Sequence, residues 1–294
     1  MFQQIMVPLD GSELAERALP CAERLGVAAG ATLHLVHVIE LAPPLTGPFA
    51  PAYLPESVYD DLVAQDTQQA TAYLDKMRER VAAGGVPVRT AQRVGYAAAT
   101  LLDYERDAGI DLVVMCSHGR SGLARFALGS VAERLLHHGA APVLLVRPFG
   151  DPDPVTLQHA VVPLDGSERA EEALWVVDQL ARDIVHEVTL LRVIGAAQDG
   201  PEAERYLDAV ARRLTQEHLA CRRRVEQGDP AETIIDVAGT DKLVVIATHG
   251  RSGLTRWALG SVADRVARGG AAAVLLVRAG AETRPRATPS GRAP

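Results

Sequence analysis

Short apolar runs alternate along the chain with longer segments in which apolar side chains recur at helical spacing. Residues 5–9 (IMVPL) form a continuous apolar run that ends at an Asp-Gly pair, a pattern typical of a buried strand. Residues 12–27 then repeat apolar side chains at helical spacing, which predicts a helix with Ser12 as a candidate N-cap. Strands of continuous Val, Ile and Leu that alternate with helices predict a parallel sheet covered on both faces.

The same pattern continues along the chain and predicts five strands in each half. The predicted strands are 5–9, 32–39, 86–94, 111–116 and 142–147, then 160–164, 187–194, 221–226, 242–247 and 273–278. The predicted helices are 12–27, 57–83, 98–107 and 131–138, then 167–181, 201–218, 230–238 and 261–268. This order predicts an α/β fold with two tandem doubly wound five-stranded parallel-sheet domains, each with three α/β/α layers.

The two halves of the chain are copies of one sequence. Residues 7–19 and 162–174 agree at 11 of 13 positions, and residues 116–147 and 247–278 agree at 22 of 32. The predicted organisation is a first domain 1–148, a linker 149–157, a second domain 158–279 and a disordered tail 280–294. The Pro-rich segment 41–55 belongs to the extra length of the first copy and is predicted to be a long loop.

The net charge and the cysteine content argue against a nucleic-acid-binding or membrane-binding protein and against a disulfide-bonded one. A net charge of −7 argues against broad binding of nucleic acid or of an anionic membrane, because both need a basic surface. A small anion site remains compatible with this charge, since backbone N–H groups bind phosphate without Lys or Arg. Cys21, Cys116 and Cys221 are far apart, so we expect free thiols and a cytoplasmic protein. We expect no signal peptide and no membrane span, since no apolar run approaches ~18 residues.

Two segments in each half combine residue types that suit an anionic ligand. The first follows strand one and contains Asp10, which could accept hydrogen bonds from ribose hydroxyls or a base. The second follows strand four and contains Gly119, Gly122 and Gly129-Ser130, after which a helix begins at Val131. Glycines let the backbone approach an anion closely, and the helix N-terminus offers unpaired N–H groups. We expect the two segments to face each other across one crevice, where strands one and four are neighbours.

At these residues the chain resembles the universal stress protein family in its tandem-domain form. The family's ATP-binding members carry a Gly-x2-Gly-x9-Gly-Ser/Thr motif after strand four and an aspartate after strand one. Gly119-x9-Gly129-Ser130 and Gly250-x9-Gly260-Ser261 match the last part of that motif, and Asp10 and Asp165 match the aspartate. The resemblance extends over nearly the whole chain except the linker and the tail.

The resemblance implies further details of fold and ligand. It implies a strand order of 3-2-1-4-5, pairing of the two domains through their last strands, and ATP as the bound cofactor. The side chains that it implies beside the adenine are Val38, Met115, Val193 and Ile246. This chain departs from the motif at its first glycine, which is replaced by Cys116 in the first copy and by Ala247 in the second. Either replacement places a Cβ atom beside the expected ligand.

The predicted site contains eleven residues in each domain. In the first domain they are Pro8, Leu9, Asp10, Val38, Met115, Cys116, His118, Gly119, Gly129, Ser130 and Val131. In the second domain they are Pro163, Leu164, Asp165, Val193, Ile246, Ala247, His249, Gly250, Gly260, Ser261 and Val262. The two histidines are expected to contact phosphate through their backbone. No catalytic residue and no metal-binding side chain is predicted, although Mg²⁺ could accompany the nucleotide on its phosphates.

Simpler structural roles compete with these functional ones. Asp10 and Asp165 could cap the first helix of each domain through a local Asx turn, and Ser130 and Ser261 could merely cap the helix that follows. Three functions stay open: an ATP-binding regulatory protein of the stress response, a slow ATP hydrolase, and a nucleotide-free interaction module. The expected partner is an adenine nucleotide, and a homodimer stays open.

Overall fold

Strands and helices alternate through the protein, as the apolar pattern predicts. The computed structural model describes residues 2–40, 56–117, 128–147, 157–181, 183–214, 219–248, 259–270 and 272–278, with side chains from residue 63 onward in the second of these ranges. The first domain contains β1 (Gln4–Pro8), α1 (Glu13–Glu16), α2 (Leu19–Ala29), β2 (Thr32–Ile39), α3 (Glu56–Ala82), β3 (Val88–Val94), α4 (Ala97–Asp107), β4 (Leu112–Cys116), α5 (Ser130–His138) and β5 (Val143–Val146). The second contains β6 (His159–Pro163), α6 (Glu168–Glu171), α7 (Ala173–Leu180), β7 (Glu187–Ile194), α8 (Gly200–Arg213), β8 (Ala220–Gln227), α9 (Pro230–Ala238), β9 (Leu243–Ala247), α10 (Ser261–Gly269) and β10 (Ala273–Val277).

In each domain the structure has two helices where the sequence predicted one: α1 and α2 in the first domain, α6 and α7 in the second. The prediction of a single helix is therefore wrong. Between α1 and α2, the N–H of Arg17 donates to Leu14 O and that of Ala18 to Ala15 O, at 3.2 and 3.1 Å. Such i→i−3 bonds tighten the turn and interrupt the α-helical pattern, while the apolar spacing continues across the junction. The predicted helix 201–218 ends at Arg213.

Several predicted connecting segments lie outside the described residues. These are the Pro-rich segment 41–55, the tail 280–294 and the linker 149–157 apart from its last residue. That residue, Leu157, is only 1% exposed and packs in the core rather than in a linker.

All ten described strands form one sheet, in the order β3-β2-β1-β4-β5-β10-β9-β6-β7-β8. Each domain therefore has the order 3-2-1-4-5, and strands within each domain are parallel. The two last strands, β5 and β10, pair antiparallel, with Leu145 opposite Val274 and Leu144 opposite Leu275. The strand order and the pairing of the domains through their last strands are thus confirmed.

The core lies on both faces of this sheet and continues across the domain boundary. Successive residues of β5 point to opposite faces: Leu144 belongs to one apolar cluster and Leu145 to the other. The first cluster also contains Leu275 of β10, and the second contains Val274. Because both clusters include residues of both domains, the two copies share one folded core.

Two arginines, one from each domain, extend this contact between the domains. Arg147 lies just after β5, and its Nε donates to Ala272 O and its Nη2 to Val266 O, both at 3.1 Å. Arg278 lies at the equivalent place after β10 and donates to Gly139 O at the end of α5. Helix C-termini leave carbonyl groups unpaired and carry the negative end of the helix dipole, so each arginine complements a helix of the other domain.

Candidate functional site

The strand order places the ends of β1 and β4 side by side in the first domain. Ile5 pairs with Leu112 and Met6 with Val113, so β1 is a direct neighbour of β4. This is the point at which the strand order reverses, because β2 and β3 continue on one side and β5 on the other. The two segments predicted to face each other therefore begin at adjacent strand ends, where doubly wound sheets bind ligands.

The aspartate after β1 has a local structural role. Its Oδ1 accepts a hydrogen bond from the Ser12 backbone N–H at 3.0 Å and another from Ser12 Oγ at 2.6 Å. Ser12 Oγ in turn accepts from Ala15 N at 3.2 Å, which confirms Ser12 as the N-cap of α1. Gly11 between them has a φ of 83°, which favours glycine. The Asx turn proposed for Asp10 is therefore present.

The second domain repeats this turn with the same geometry. Asp165 Oδ1 accepts from Ser167 N at 3.0 Å and from Ser167 Oγ at 2.6 Å. In both domains the turn is made by Oδ1 of the aspartate. Each carboxylate also lines a cavity, so the capping role and a ligand role are compatible.

The second segment ends at a helix N-terminus beside the end of β4. The N–H of Gly129 donates to Ser117 O at 3.0 Å, which holds the start of α5 next to the end of that strand. The first intrahelical bond runs from Glu133 N to Gly129 O at 2.9 Å. The N–H groups of the residues between them, Ser130, Val131 and Ala132, consequently have no partner within the helix.

The serine at this helix start does not cap it. Gly129 is the N-cap, with an extended ψ of 146°, and no side chain makes a capping hydrogen bond. Gly260 has the same role and conformation at the start of α10. The proposed capping role of Ser130 and Ser261 is therefore wrong, because each serine already belongs to the first turn of its helix.

One cavity of about 620 Å³ lies between these elements in the first domain. Nine of the eleven predicted residues line it: Pro8, Leu9, Asp10, Val38, Met115, Cys116, Gly129, Ser130 and Val131. The other two, His118 and Gly119, lie outside the described residues. The lining thus joins the aspartate, the apolar residues of β2 and β4, and the N–H groups of α5 that have no partner within the helix.

The replaced first glycine does not fill this cavity. Cys116 is buried, 5% exposed, at the end of β4, and it lines the cavity together with Met115 and Ser117. Cys116 therefore lines the cavity without filling it.

The side of the cavity formed by α3 and β2 was not predicted from the sequence. His37 and Tyr73 line it, with their rings edge to face at 5.9 Å between centroids. His37 Nδ1 lies 2.8 Å from Leu9 O, and because a carbonyl only accepts, this nitrogen is the protonated one. A tyrosine also recurs at the matching place in α8, Tyr206, so comparison of the two copies could have found Tyr73.

The second domain divides the same region into two smaller cavities. One of about 280 Å³ is lined by nine of the eleven predicted residues: Pro163, Leu164, Asp165, Val193, Ile246, Ala247, Gly260, Ser261 and Val262. His249 and Gly250 lie outside the described residues. The other cavity, of about 370 Å³, is lined by Arg192, Tyr206 and Glu202 among others. Val193 lines both cavities.

The described residues contain no group of three or more His, Cys, Asp or Glu placed to hold a metal ion. His34 and His37 of β2 bond to different partners: His34 contacts Tyr104 Oη and Gln4 Oε1, at 2.8 and 2.7 Å. Within the same described ranges, no helix is both long and apolar enough to cross a bilayer.

Comparison with known proteins agrees with this architecture. The model of the universal stress protein family matches residues 1–147 and 156–278. A universal stress protein of Mycolicibacterium smegmatis is 29% identical over 296 residues, which cover 93% of this chain and 96% of the relative. A universal stress protein of Bacillus subtilis is 31% identical over 151 residues, 50% of this chain and 100% of the relative.

Solved structures show the same fold over both domains. The crystal structure of a universal stress protein from Archaeoglobus fulgidus aligns with a TM-score of 0.69 at 19% identity, covering 94% of this chain and 96% of that one. The family model matches two successive ranges that together span most of the sequence. The chain therefore belongs to the universal stress protein family, with two copies of the family's domain.

Proposed function

We propose that this protein binds ATP in the cavity of its first domain and acts as a nucleotide-dependent regulator. The supporting observation is the cavity of about 620 Å³ that all nine described residues of the predicted site line together. Small-molecule sites are typically concave, largely apolar and roughly 300–1,000 Å³ in volume, with a few polar groups that set orientation.

The polarity of the lining favours one orientation of the nucleotide. The N–H groups of Ser130, Val131 and Ala132 are the groups suited to phosphate, because they are unpaired within α5 and lie at the positive end of its dipole. Asp10 and Glu40 also line the cavity and would repel phosphate. The triphosphate is therefore proposed at α5, and the ribose beside Asp10.

The apolar part of the lining suits the base. Val38 near the end of β2 and Met115 near the end of β4 belong to the two strands that flank β1, since β1 pairs with both of them. Both residues line the cavity. The resemblance to ATP-binding members of the family implies that these two residues flank the adenine. Aliphatic and thioether side chains are apolar surfaces against which a planar base can pack.

A binding role is favoured over rapid hydrolysis. The described lining residues include neither Lys nor Arg, the side chains that commonly stabilise the transition state of phosphoryl transfer. Mg²⁺ bound to the phosphates would supply the missing positive charge, and Ser130 at the start of α5 is the hydroxyl group proposed to lie near it.

Replacing Ser130 by proline, compared with alanine, tests the phosphate site at the backbone N–H. Proline is tolerated at the first position of a helix, where it removes the N–H, and the change also removes the Ser130 hydroxyl group. Gly129 already has the extended conformation, φ −62° and ψ 146°, that a residue before proline requires. Loss of one hydrogen bond to charged phosphate should raise the Kd for Mg-ATP about tenfold or more in isothermal titration calorimetry.

The matched control is Ser130→Ala, which removes the hydroxyl group but keeps the N–H. We expect Ser130→Ala to bind more tightly than Ser130→Pro, and both variants to unfold at the wild-type temperature. No heat of binding to the wild-type chain would refute the function. Equal affinity of the two variants would refute the placement of phosphate at α5.

A further inference from the structure

We propose that His37 of the first domain accepts a hydrogen bond from a ribose hydroxyl group of the nucleotide, so that the site selects ribonucleotides over deoxyribonucleotides. This inference rests on the proposed ATP binding and names the sugar that the same site requires. Three features of His37 support it: the ring nitrogen that carries its hydrogen atom, its place beside the Asp10 turn, and the side of the cavity on which it lies.

The contacts of His37 determine which ring nitrogen carries the hydrogen atom. Nδ1 lies 2.8 Å from Leu9 O, and because a carbonyl oxygen only accepts, Nδ1 is the donor. In a neutral imidazole Nε2 is then an acceptor, and it is directed away from Leu9 O. Among the described residues, none forms a hydrogen bond with this nitrogen. His37 therefore offers the cavity an acceptor.

The imidazole ring is held from two sides. Leu9 O bonds one edge of the ring, and the Tyr73 ring packs edge to face against it with 5.9 Å between the centroids. His37 is half-buried in β2 and lines the cavity. An acceptor that is already oriented loses little conformational freedom when a ligand binds, so this contact favours binding more than a mobile side chain would.

The cavity extends over the strand ends from one face of the sheet to the other. Val38 and Val131 pack against the apolar cluster on one face, whereas Leu9 and Tyr73 pack in the cluster on the other. Side chains alternate along a strand, so His37 faces the side opposite to its neighbour Val38. The proposed positions of the base and the phosphates therefore lie on one face of the sheet, and His37 lies on the other.

A ribose between that base and those phosphates presents its hydroxyl groups to Asp10 and His37. The base is attached at C1′ and the phosphates at C5′, so the 2′ and 3′ hydroxyl groups occupy the remaining edge of the sugar. That edge is turned across the end of β1, where Asp10 follows Leu9. Because the His37 ring is bonded to Leu9, the imidazole lies beside the carboxylate. Both groups accept hydrogen bonds, which hydroxyl groups donate.

A deoxyribonucleotide leaves one of these two acceptors without its donor. Sites built to bond a hydroxyl group reject the analogue that lacks it, because a desolvated polar group of the protein is then left unpaired. We expect 2′-deoxy-ATP and 3′-deoxy-ATP each to bind about tenfold more weakly than ATP.

Isothermal titration calorimetry of the full chain with ATP and the two deoxy analogues, each with Mg²⁺, measures this preference. The chain carries Ser261→Pro in every titration, which removes the N–H at the start of α10 and so weakens any binding by the second domain. Gly260 before it has a φ of −60° and a ψ of 145°, which suit a residue that precedes proline.

Two substitutions of His37 separate contact with the ligand from a structural role. His37→Asn keeps an N–H group for Leu9 O but has no atom at the place of Nε2, and His37→Phe keeps a ring against Tyr73 but has no acceptor. Each variant should bind ATP about tenfold more weakly, and should bind one of the two deoxy analogues as tightly as it binds ATP. The hydroxyl group paired with Asp10 should still give a preference of about tenfold.

The possible failures are distinguishable. Equal affinity for all three nucleotides while His37 is intact would overturn this inference and leave ATP binding in place, and that comparison does not depend on the folding of either variant. An undiminished preference for both hydroxyl groups in His37→Asn and His37→Phe would also overturn it, since His37 would then have a structural role only. No heat of binding with ATP would refute the proposed function and this inference with it.

Discussion

Removal of Arg147 should loosen the contact between the two domains. Its guanidinium group donates from Nε to Ala272 O and from Nη2 to Val266 O, both at 3.1 Å, and both acceptors belong to the second domain. Val266 lies near the C-terminus of α10, where the helix dipole also favours a cation. Arg147→Met removes the charge and the donors while keeping an apolar side chain.

The size of the effect follows from two opposing contributions. Each hydrogen bond from a charged donor contributes about 1.5–3 kcal/mol, so the pair would contribute about 3–6 kcal/mol. Burial of the guanidinium group opposes this, and it lowers the pKa of Arg147 to about 10, which still leaves the group charged at neutral pH. Val266 O also keeps a bond from Gly270 N at 3.2 Å. We therefore expect a net loss of about 2–3 kcal/mol in the free energy of unfolding.

Equilibrium denaturation in urea at neutral pH measures this loss. The control is Arg106→Met, since the Arg106 side chain is 72% exposed and pairs with Asp103 on the surface. Such a pair contributes about 0.2–1 kcal/mol. A loss for Arg147→Met that is no larger than that of the control would refute the assigned role of Arg147 between the domains.

Three further predictions concern local structure in the first domain. Ser12→Ala removes the acceptor for the Ala15 N–H and should lower the free energy of unfolding in urea by about 1 kcal/mol, whereas no loss would contradict the cap. Gly95→Ala should lower it by about 1–3 kcal/mol, because φ is 150° and a Cβ would lie 2.7 Å from Thr100 Oγ1; unchanged thermal melting would contradict this. Burial raises the pKa of Glu105, so the folded state holds the carboxyl proton more tightly than the unfolded chain does. Protonated Glu105 therefore stabilises the fold at low pH, and this stabilisation is lost as pH rises through the raised pKa. Glu105→Gln should therefore gain stability relative to the wild type as the pH rises above about 4, the ordinary pKa of a glutamate, in urea titrations, and a difference independent of pH would contradict it.

The fold was largely predictable because burial leaves a strong pattern in this sequence. The three central residues of β1 and every residue of β4 and β5 are apolar and buried in one sheet. Because the sequence repeats, each predicted element of one domain also supports the corresponding element of the other. The break between α1 and α2 was not predictable in the same way, because it arises from i→i−3 bonds at Arg17 and Ala18 that leave the apolar spacing unchanged.

The candidate site was predictable only where its residues follow strand ends in sequence. Asp10 follows the end of β1 by two residues, and Gly129 comes just before α5. The topology of the parallel sheet brings these two residues together. Tyr73 comes from the middle of α3, and its position against His37 depends on how that helix packs on β2.

A crystal structure of the full chain grown with Mg-ATP tests the central proposal most directly. We expect density for a nucleotide in the first domain, with its phosphates at the N–H groups of Ser130 and Val131 and its ribose beside Asp10. Density for a nucleotide elsewhere, or a first-domain cavity that stays free of nucleotide at saturating Mg-ATP, would contradict it.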